Sequence, residues 1–182
     1  MGRVSQAQAQ ENRARVVAAA SRLFREQGTD VSVADVMKAV GLTHGGFYKR
    51  FPSKEALVGE ATALAFAEQT DLRERQDAAN DGRRDAAQEG LLDWYLSAEH
   101  RDFPADGCPS AALATDMARD DDPATRQTYA DGVREFADWL AVEGEDDGLV
   151  RLATIVGALL LARGTNGTPL SDELLTAARN AV

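Results

Sequence analysis

Apolar residues recur along this chain with the period of helices, and no segment shows a convincing strand pattern. Val16, Ala20, Leu23 and Phe24 fall at i, i+4, i+7 and i+8, which predicts a first helix over about 10–26, closed before Gly28. Ser32 can cap a second helix, with Asp35 three residues on as a capping-box variant. Val33, Val36, Met37 and Val40 form its inner face and Gly41 stops it. Thr43 can cap a third, very short helix through Phe51, in which Phe47 and Phe51 face inward together. Pro52 breaks that helix, and Ser53 with Glu55 opens a long fourth one over about 53–78. Further helices are expected at about 84–99 (Leu91, Leu92, Tyr95), at 109–119 opening with Pro109, and from Asp122 and Pro123 to about 143. The apolar-rich segment 147–163 and a last stretch from Ser171, Asp172 and Glu173 to Ala181 complete the series. Loops fall at 79–84, 101–108, 144–147 and 164–170. The predicted fold class is all-α with about nine helices: a small N-terminal head over 1–52, with a helix-turn-helix motif at about 32–51, continuous with a larger C-terminal helical body over 53–182.

Composition narrows the function classes. The 182 residues are 44 % apolar and 27 % charged, an ordinary globular balance. The longest apolar run, Leu152 to Ala162, is shorter than the roughly 20 residues a bilayer crossing needs, and the start MGRVSQAQAQENR has no signal-peptide core. A cytoplasmic location with no membrane partner is therefore expected. One cysteine, Cys108, and two histidines, His44 and His100, argue against a structural metal, and no cofactor is expected. No G-x-S-x-G, phosphate-binding glycine loop or zinc pattern is present, so the chain is not expected to be an enzyme. Charge is unevenly divided. Residues 1–56 hold nine Lys and Arg against five Asp and Glu, a net +4, so the remainder carries −14 of the total −10. A basic head on an acidic body suits a protein that meets a polyanion at one end.

The stretch SVADVMKAVGLTHGGFYKRF, residues 32–51, has helix-turn-helix spacing, with a tight turn at Gly41 and a second helix from Thr43. Burying Phe47 and Phe51 leaves His44, Gly45, Tyr48, Lys49 and Arg50 outward, and these side chains suit phosphates and base edges. Gly45 and Gly46 each weaken a helix by about 1 kcal/mol, but bare backbone there allows close approach to DNA. Thr43 and Lys54 sit at helix amino-termini, which attract phosphate through free N–H groups. Ser32 and Thr29 are placed to do the same at the second helix, and Lys49 and His44 are the candidates for base readout, with a phosphate contact the alternative for Lys49. Arg3, in the N-terminal arm, belongs either to a disordered tail or to a minor-groove contact. A helical adaptor that binds only protein is the rival reading from another class.

The run VSVADVMKAVGLTHGGFYKRFPSKEAL resembles the amino-terminal signature of the TetR/AcrR family of bacterial transcriptional regulators, ending in F-x-S-K-E-x-L. Met37, where many members carry Ala, is a departure from that pattern. The resemblance implies that Thr43 and Tyr48 contact phosphates or bases and that Lys54 holds a phosphate. It also implies a homodimer on a near-palindromic operator and, most often, a repressor released by a small, largely apolar ligand. The last two helices then supply the interface, with Leu152, Val156, Leu159, Leu160, Leu174 and Leu175 as candidates. The ligand would lie among Phe66, Trp94, Cys108, Met117 and Tyr129. Cys108, at a helix start beside Pro109, leaves open an alternative of redox or electrophile sensing.

Overall fold

The computed structural model describes residues 6–142, 144–145 and 147–182; Arg3 lies outside the described residues. All regular structure among them is helical. The ten helices are α1 (Gln6–Gln27), α2 (Val33–Ala39), α3 (Lys54–Ala79), α4 (Arg84–Tyr95), α5 (Ala98–Asp102), α6 (Pro109–Ala112), α7 (Ala114–Met117), α8 (Pro123–Leu140), α9 (Gly148–Gly164) and α10 (Pro169–Ala181). Short 3-10 turns occupy His44–Gly46 and Pro104–Asp106. No described helix is long and apolar enough to cross a membrane.

The local start and stop signals act as expected at several helix ends. The Ser32 hydroxyl accepts from Asp35 N–H, Ser53 from Ala56 N–H, and the Asp122 carboxylate from Ala124 and Thr125 N–H. Gly41, at φ +70°, takes the left-handed conformation that ends α2. Four expected helices differ. The segment expected at 84–99 breaks after Tyr95, where the Ser97 hydroxyl donates to Trp94 C=O and accepts from His100 N–H to start α5. The segment 109–119 divides at Leu113 into α6 and α7. The third helix shrinks to a 3-10 turn followed by one helical turn closed by Phe51 N–H to Phe47 C=O at 3.0 Å, because two adjacent glycines cannot hold a longer helix ahead of Pro52. The last helix starts at Pro169 rather than Ser171, which is buried and donates to Ala162 C=O at 2.7 Å, tying α10 to α9.

Two apolar clusters hold these helices. Leu91, Leu92, Tyr95, Phe136, Leu140, Ile155 and Leu159 centre the body. Val16, Phe24, Val36, Met37, Phe47 and Phe51 centre the head, but Leu57, Val58, Ala61, Leu113 and Met117 belong to the same cluster. The head core thus crosses the expected boundary at residue 52. Between α3 and α8, a Cβ on Gly132 would fall 2.2 Å from the Phe66 ring, so glycine permits this close crossing.

Helix α9 separates its faces, and of the residues expected at the interface only Leu160 is left exposed. Leu152, Leu159 and, from α10, Leu175 lie inside the chain's own core, while Val156 and Leu174 pack partly against it. The side left outward carries Leu149, Val150, Ala153, Leu160 and Leu161, with Leu170 beside them. An α9 that is apolar nearly all round gives no periodic signal to distinguish the two sides.

Candidate nucleic-acid interface

Residues 32–54 present a face built on two buried rings. Phe47 and Phe51 are 0 % and 1 % exposed, and their rings stack at 5.3 Å. Tyr48, between them in sequence, is 65 % exposed and meets Phe47 edge-on at 5.1 Å and His44 at 6.1 Å. A tyrosine supported by a buried ring is a rigid, outward aromatic with a free hydroxyl, which suits a groove wall. The Arg13 guanidinium lies 4.7 Å from the centroid of Phe51, pinning this turn to α1.

The two glycines differ in surroundings. A Cβ on Gly45 would meet nothing within 4 Å, whereas one on Gly46 would come within 2.9 Å of Arg50 Nη1 and 3.6 Å of Met37 Cε. A side chain at Gly46 would thus displace only the flexible end of Arg50 and rest in ordinary contact with Met37, and Gly45 leaves backbone open to a ligand. Arg50 donates to Gly46 C=O at 2.6 Å and is folded back on its own turn.

Around this turn, Thr43, His44 and Lys49 are exposed and Lys54 is half-buried at the first position of α3. Thr43 makes no side-chain cap, so its hydroxyl remains available. None of Lys38, Lys49 and Lys54 pairs with a carboxylate among the described residues. A cleft of about 350 Å³ lies between α1 and this turn, lined by Ala9, Leu42, Thr43, Gly46, Lys49 and Arg50. At the start of α3, its own backbone N–H and the Ser53 hydroxyl hold the Glu55 carboxyl below its usual range, which shows the electropositive character of that helix end. Ser32 is exposed, but its hydroxyl donates to Asp35 at 2.6 Å as well as capping α2. Thr29 is turned the other way: its N–H and hydroxyl both donate to Asp116 of α7, at 2.9 and 2.8 Å.

The residues expected to line a ligand site do not converge. Met117 lies in the head core, and Phe66 meets Tyr129 edge-on at 5.7 Å on the α3–α8 contact. Trp94 stacks on His100 at 4.3 Å. Cys108 is 1 % exposed, and its N–H donates to His100 Nε2 at 3.0 Å while His100 Nδ1–H donates to Tyr95 C=O at 2.8 Å. Both imidazole nitrogens are thus committed to a neutral ring, and burial pushes its pKa down to about 4. Tyr129 borders a cleft of about 200 Å³ between α6, α8 and α9, lined also by Ser110, Val133, Leu149, Leu152, Ala153 and Val156.

A helix-turn-helix head whose unpaired cations and outward tyrosine sit on an all-helical body is the architecture of a DNA-binding regulator. Residues 16–61 match the family model described as bacterial regulatory proteins, tetR family, and the chain has the fold of TetR-family transcriptional regulators. A TetR-family regulator from Agrobacterium tumefaciens superposes with a TM-score of 0.77 at 18% identity, covering 96% of this chain and 98% of that one. One from Chloroflexus aurantiacus gives 0.71 at 24% identity, covering 97% and 94%. A transcriptional regulator from Saccharomonospora viridis, solved in complex with choline, gives 0.64 at 18% identity, covering 94% and 95%. No curated protein sequence matches the chain significantly.

Proposed function

We propose that this chain is a sequence-specific repressor that binds a near-palindromic operator as a homodimer and is released by a small, largely apolar ligand. The observation that carries the DNA-binding part is the face of Thr43, His44, Gly45, Tyr48, Lys49 and Lys54. It is outward and free of carboxylate partners at its lysines, in the basic third of an otherwise acidic chain. Lys54 and Thr43, at helix starts, serve phosphates; Lys49 and His44 reach base edges, with Tyr48 against the groove wall. Ser32 contributes at the edge of this face.

The dimer reading rests on α9 and α10. Of the eight large apolar residues exposed among the described residues, five (Leu149, Val150, Leu160, Leu161 and Leu170) lie on these two helices, a patch of the kind a monomer rarely leaves in water. A second copy covers it, and two linked heads then meet successive major grooves about 34 Å apart. The choline complex of the Saccharomonospora viridis regulator supports a ligand-binding role for a body of this fold, and the apolar cleft beside Tyr129 is the candidate place for it here. Selection of duplexes from a random library by the wild-type protein, followed by gel shift, tests the reading. An enriched two-half-site duplex is expected, and enrichment of no sequence overturns it.

A further inference from the structure

Helix α1 and the helix-turn-helix are joined by one turn, residues 28–31, whose conformation sets the angle at which α2 and the following turn leave α1. Gly28 enters it at φ +84°, with its N–H on Phe24 C=O at 2.9 Å, and Ser32 closes it by capping α2. Both donors of Thr29 converge on one oxygen, Asp116 Oδ1, contributed by α7 some 87 residues further along the chain. A Cβ on Gly28 would approach that same oxygen to 3.3 Å, so the glycine supplies both the left-handed turn and the room for the carboxylate. On either side of Asp116, Leu113 and Met117 are 2 % and 4 % exposed and buried in the head core. Helix α7 therefore holds the turn by a carboxylate flanked by two apolar anchors. Close by, Arg25 spans the same junction, donating to Glu68 at 2.9 Å and to Gly107 C=O at 3.3 Å, and Arg22 pairs with Asp106.

We infer that Asp116 is a positioning residue for operator recognition: through Thr29 it fixes the orientation of the helix-turn-helix relative to the body, without touching DNA. This rests on the DNA-binding reading above, and it gives Thr29 a place in the latch rather than on a phosphate, because its N–H and O–H are both spent inside the protein. The latch makes an expectation opposite to that of simple electrostatics. Removing a negative charge from a DNA-binding protein strengthens binding through the charge alone. Removing this carboxylate frees the turn, and binding weakens. Asparagine keeps an oxygen able to accept both Thr29 bonds and so preserves the latch without the charge.

The probe is the two-half-site duplex that the wild-type full-length protein selects from a random library, with companions whose half-site separation is lengthened or shortened by one base pair. Asp116→Ala and Thr29→Val are each expected to lose tenfold or more in affinity for the selected duplex. The double variant should lose no more than Asp116→Ala alone, because Thr29→Val removes one of the two bonds that Asp116→Ala removes together, and Asp116→Asn and Thr29→Ser should bind within about threefold of wild type. The preference for the selected spacing over its companions should flatten in Asp116→Ala, whereas a merely structural weakening lowers all three affinities by the same factor. Hydrogen exchange in free protein provides a DNA-independent reading: amides of residues 29–40 should exchange faster in Asp116→Ala while those of α4 do not change. Should Asp116→Ala fail to fold, Thr29→Val carries the same expectations. Wild-type or tighter binding by folded Asp116→Ala and Thr29→Val, with spacing preference intact, overturns the inference and leaves the DNA-binding reading standing. Failure of the wild type to select any duplex overturns both.

Discussion

Replacing Leu161 by Glu places a charge on the outward α9 stripe without touching the chain's own core. The side chain is 59 % exposed in the single chain, so the fold should tolerate the change, as it would not at Val156, which packs on the core and lines the α9 cleft. In the proposed dimer the same position is covered. Fully burying a leucine is worth about 2 kcal/mol, so covering a little over half of one contributes about 1 kcal/mol per copy. A buried carboxylate without a partner costs at least about 1 kcal/mol more per copy. Twofold symmetry doubles both, giving about 4 kcal/mol in all, or a roughly thousandfold rise in the dimer dissociation constant. Sedimentation velocity at micromolar concentration should show monomers, circular dichroism an unchanged helix content, and gel shift the loss of tight binding as the half-sites lose their linkage. Ala63→Glu, on an exposed position of α3, is the matched control. An undiminished Leu161→Glu dimer would refute the assignment of the interface to this face.

Lys54→Ala should weaken binding to all duplexes about equally and reduce the salt slope by about one, since it removes the proposed phosphate contact; an unchanged slope moves that contact elsewhere. Lys49→Ala should relax base preference in a repeated selection, and a consensus identical to wild type would leave Lys49 without a role in base readout. Met117→Ala should cost about 3 kcal/mol in urea unfolding, because the side chain is 4 % exposed in the head core, and a cost under about 0.5 kcal/mol contradicts that placement. Burial holds His100 at about 4, below its unfolded value, so its neutral form contributes fully above pH 6.5 and that contribution drains as pH falls towards 4. The loss should reach about 2 kcal/mol at pH 5, and His100→Gln should flatten that part of the stability profile; identical profiles would rule out the imidazole as its source.

Features that rest on local chemistry were legible in the chain. Ser32, Ser53 and Asp122 announce helix starts because a capping oxygen acts within three residues, and Gly41 ends α2 because only a left-handed residue fits there. The outward placement of Tyr48 and Lys49 followed from Phe47 and Phe51 lying four apart. Features that depend on distant neighbours were not. Nothing near Thr29 signals that its hydroxyl meets a carboxylate 87 residues away. Leu113 and Met117 read as body residues until α6 and α7 are seen to pack under the head. The rotation of α9 was hidden for a different reason: with apolar residues on both sides, periodicity gives no phase, and burial alone separates Leu152 and Leu159 from Leu160 and Leu161.

The shared head core bears on how the body can influence DNA binding. Two domains joined by a flexible linker reorient freely, and occupancy of one does little to the other. Here Leu57, Val58 and Ala61 of α3 and Leu113 and Met117 from the α6–α7 segment are part of the head's own packing, so residues 1–52 alone would lack five of the thirteen buried members of the cluster that holds Phe47, Phe51 and Met37. Displacements of α3 or α7 must therefore carry the head with them. Helix α3 has 26 residues and spans about 39 Å, from Lys54 at the proposed DNA face to Ala79 near the Asp77–Trp139 hydrogen bond. A tilt of about 5° about its far end moves Lys54 by about 3 Å. In a symmetric pair the two heads shift together, changing their separation by up to about 6 Å, nearly two base-pair steps at 3.4 Å each and ample to lose register with grooves one turn apart. Under the proposed ligand-released mechanism, a small wedge between helices of the body would suffice to release DNA, provided that the junctions at Asp116, Arg25 and Arg22 transmit the tilt rather than absorb it.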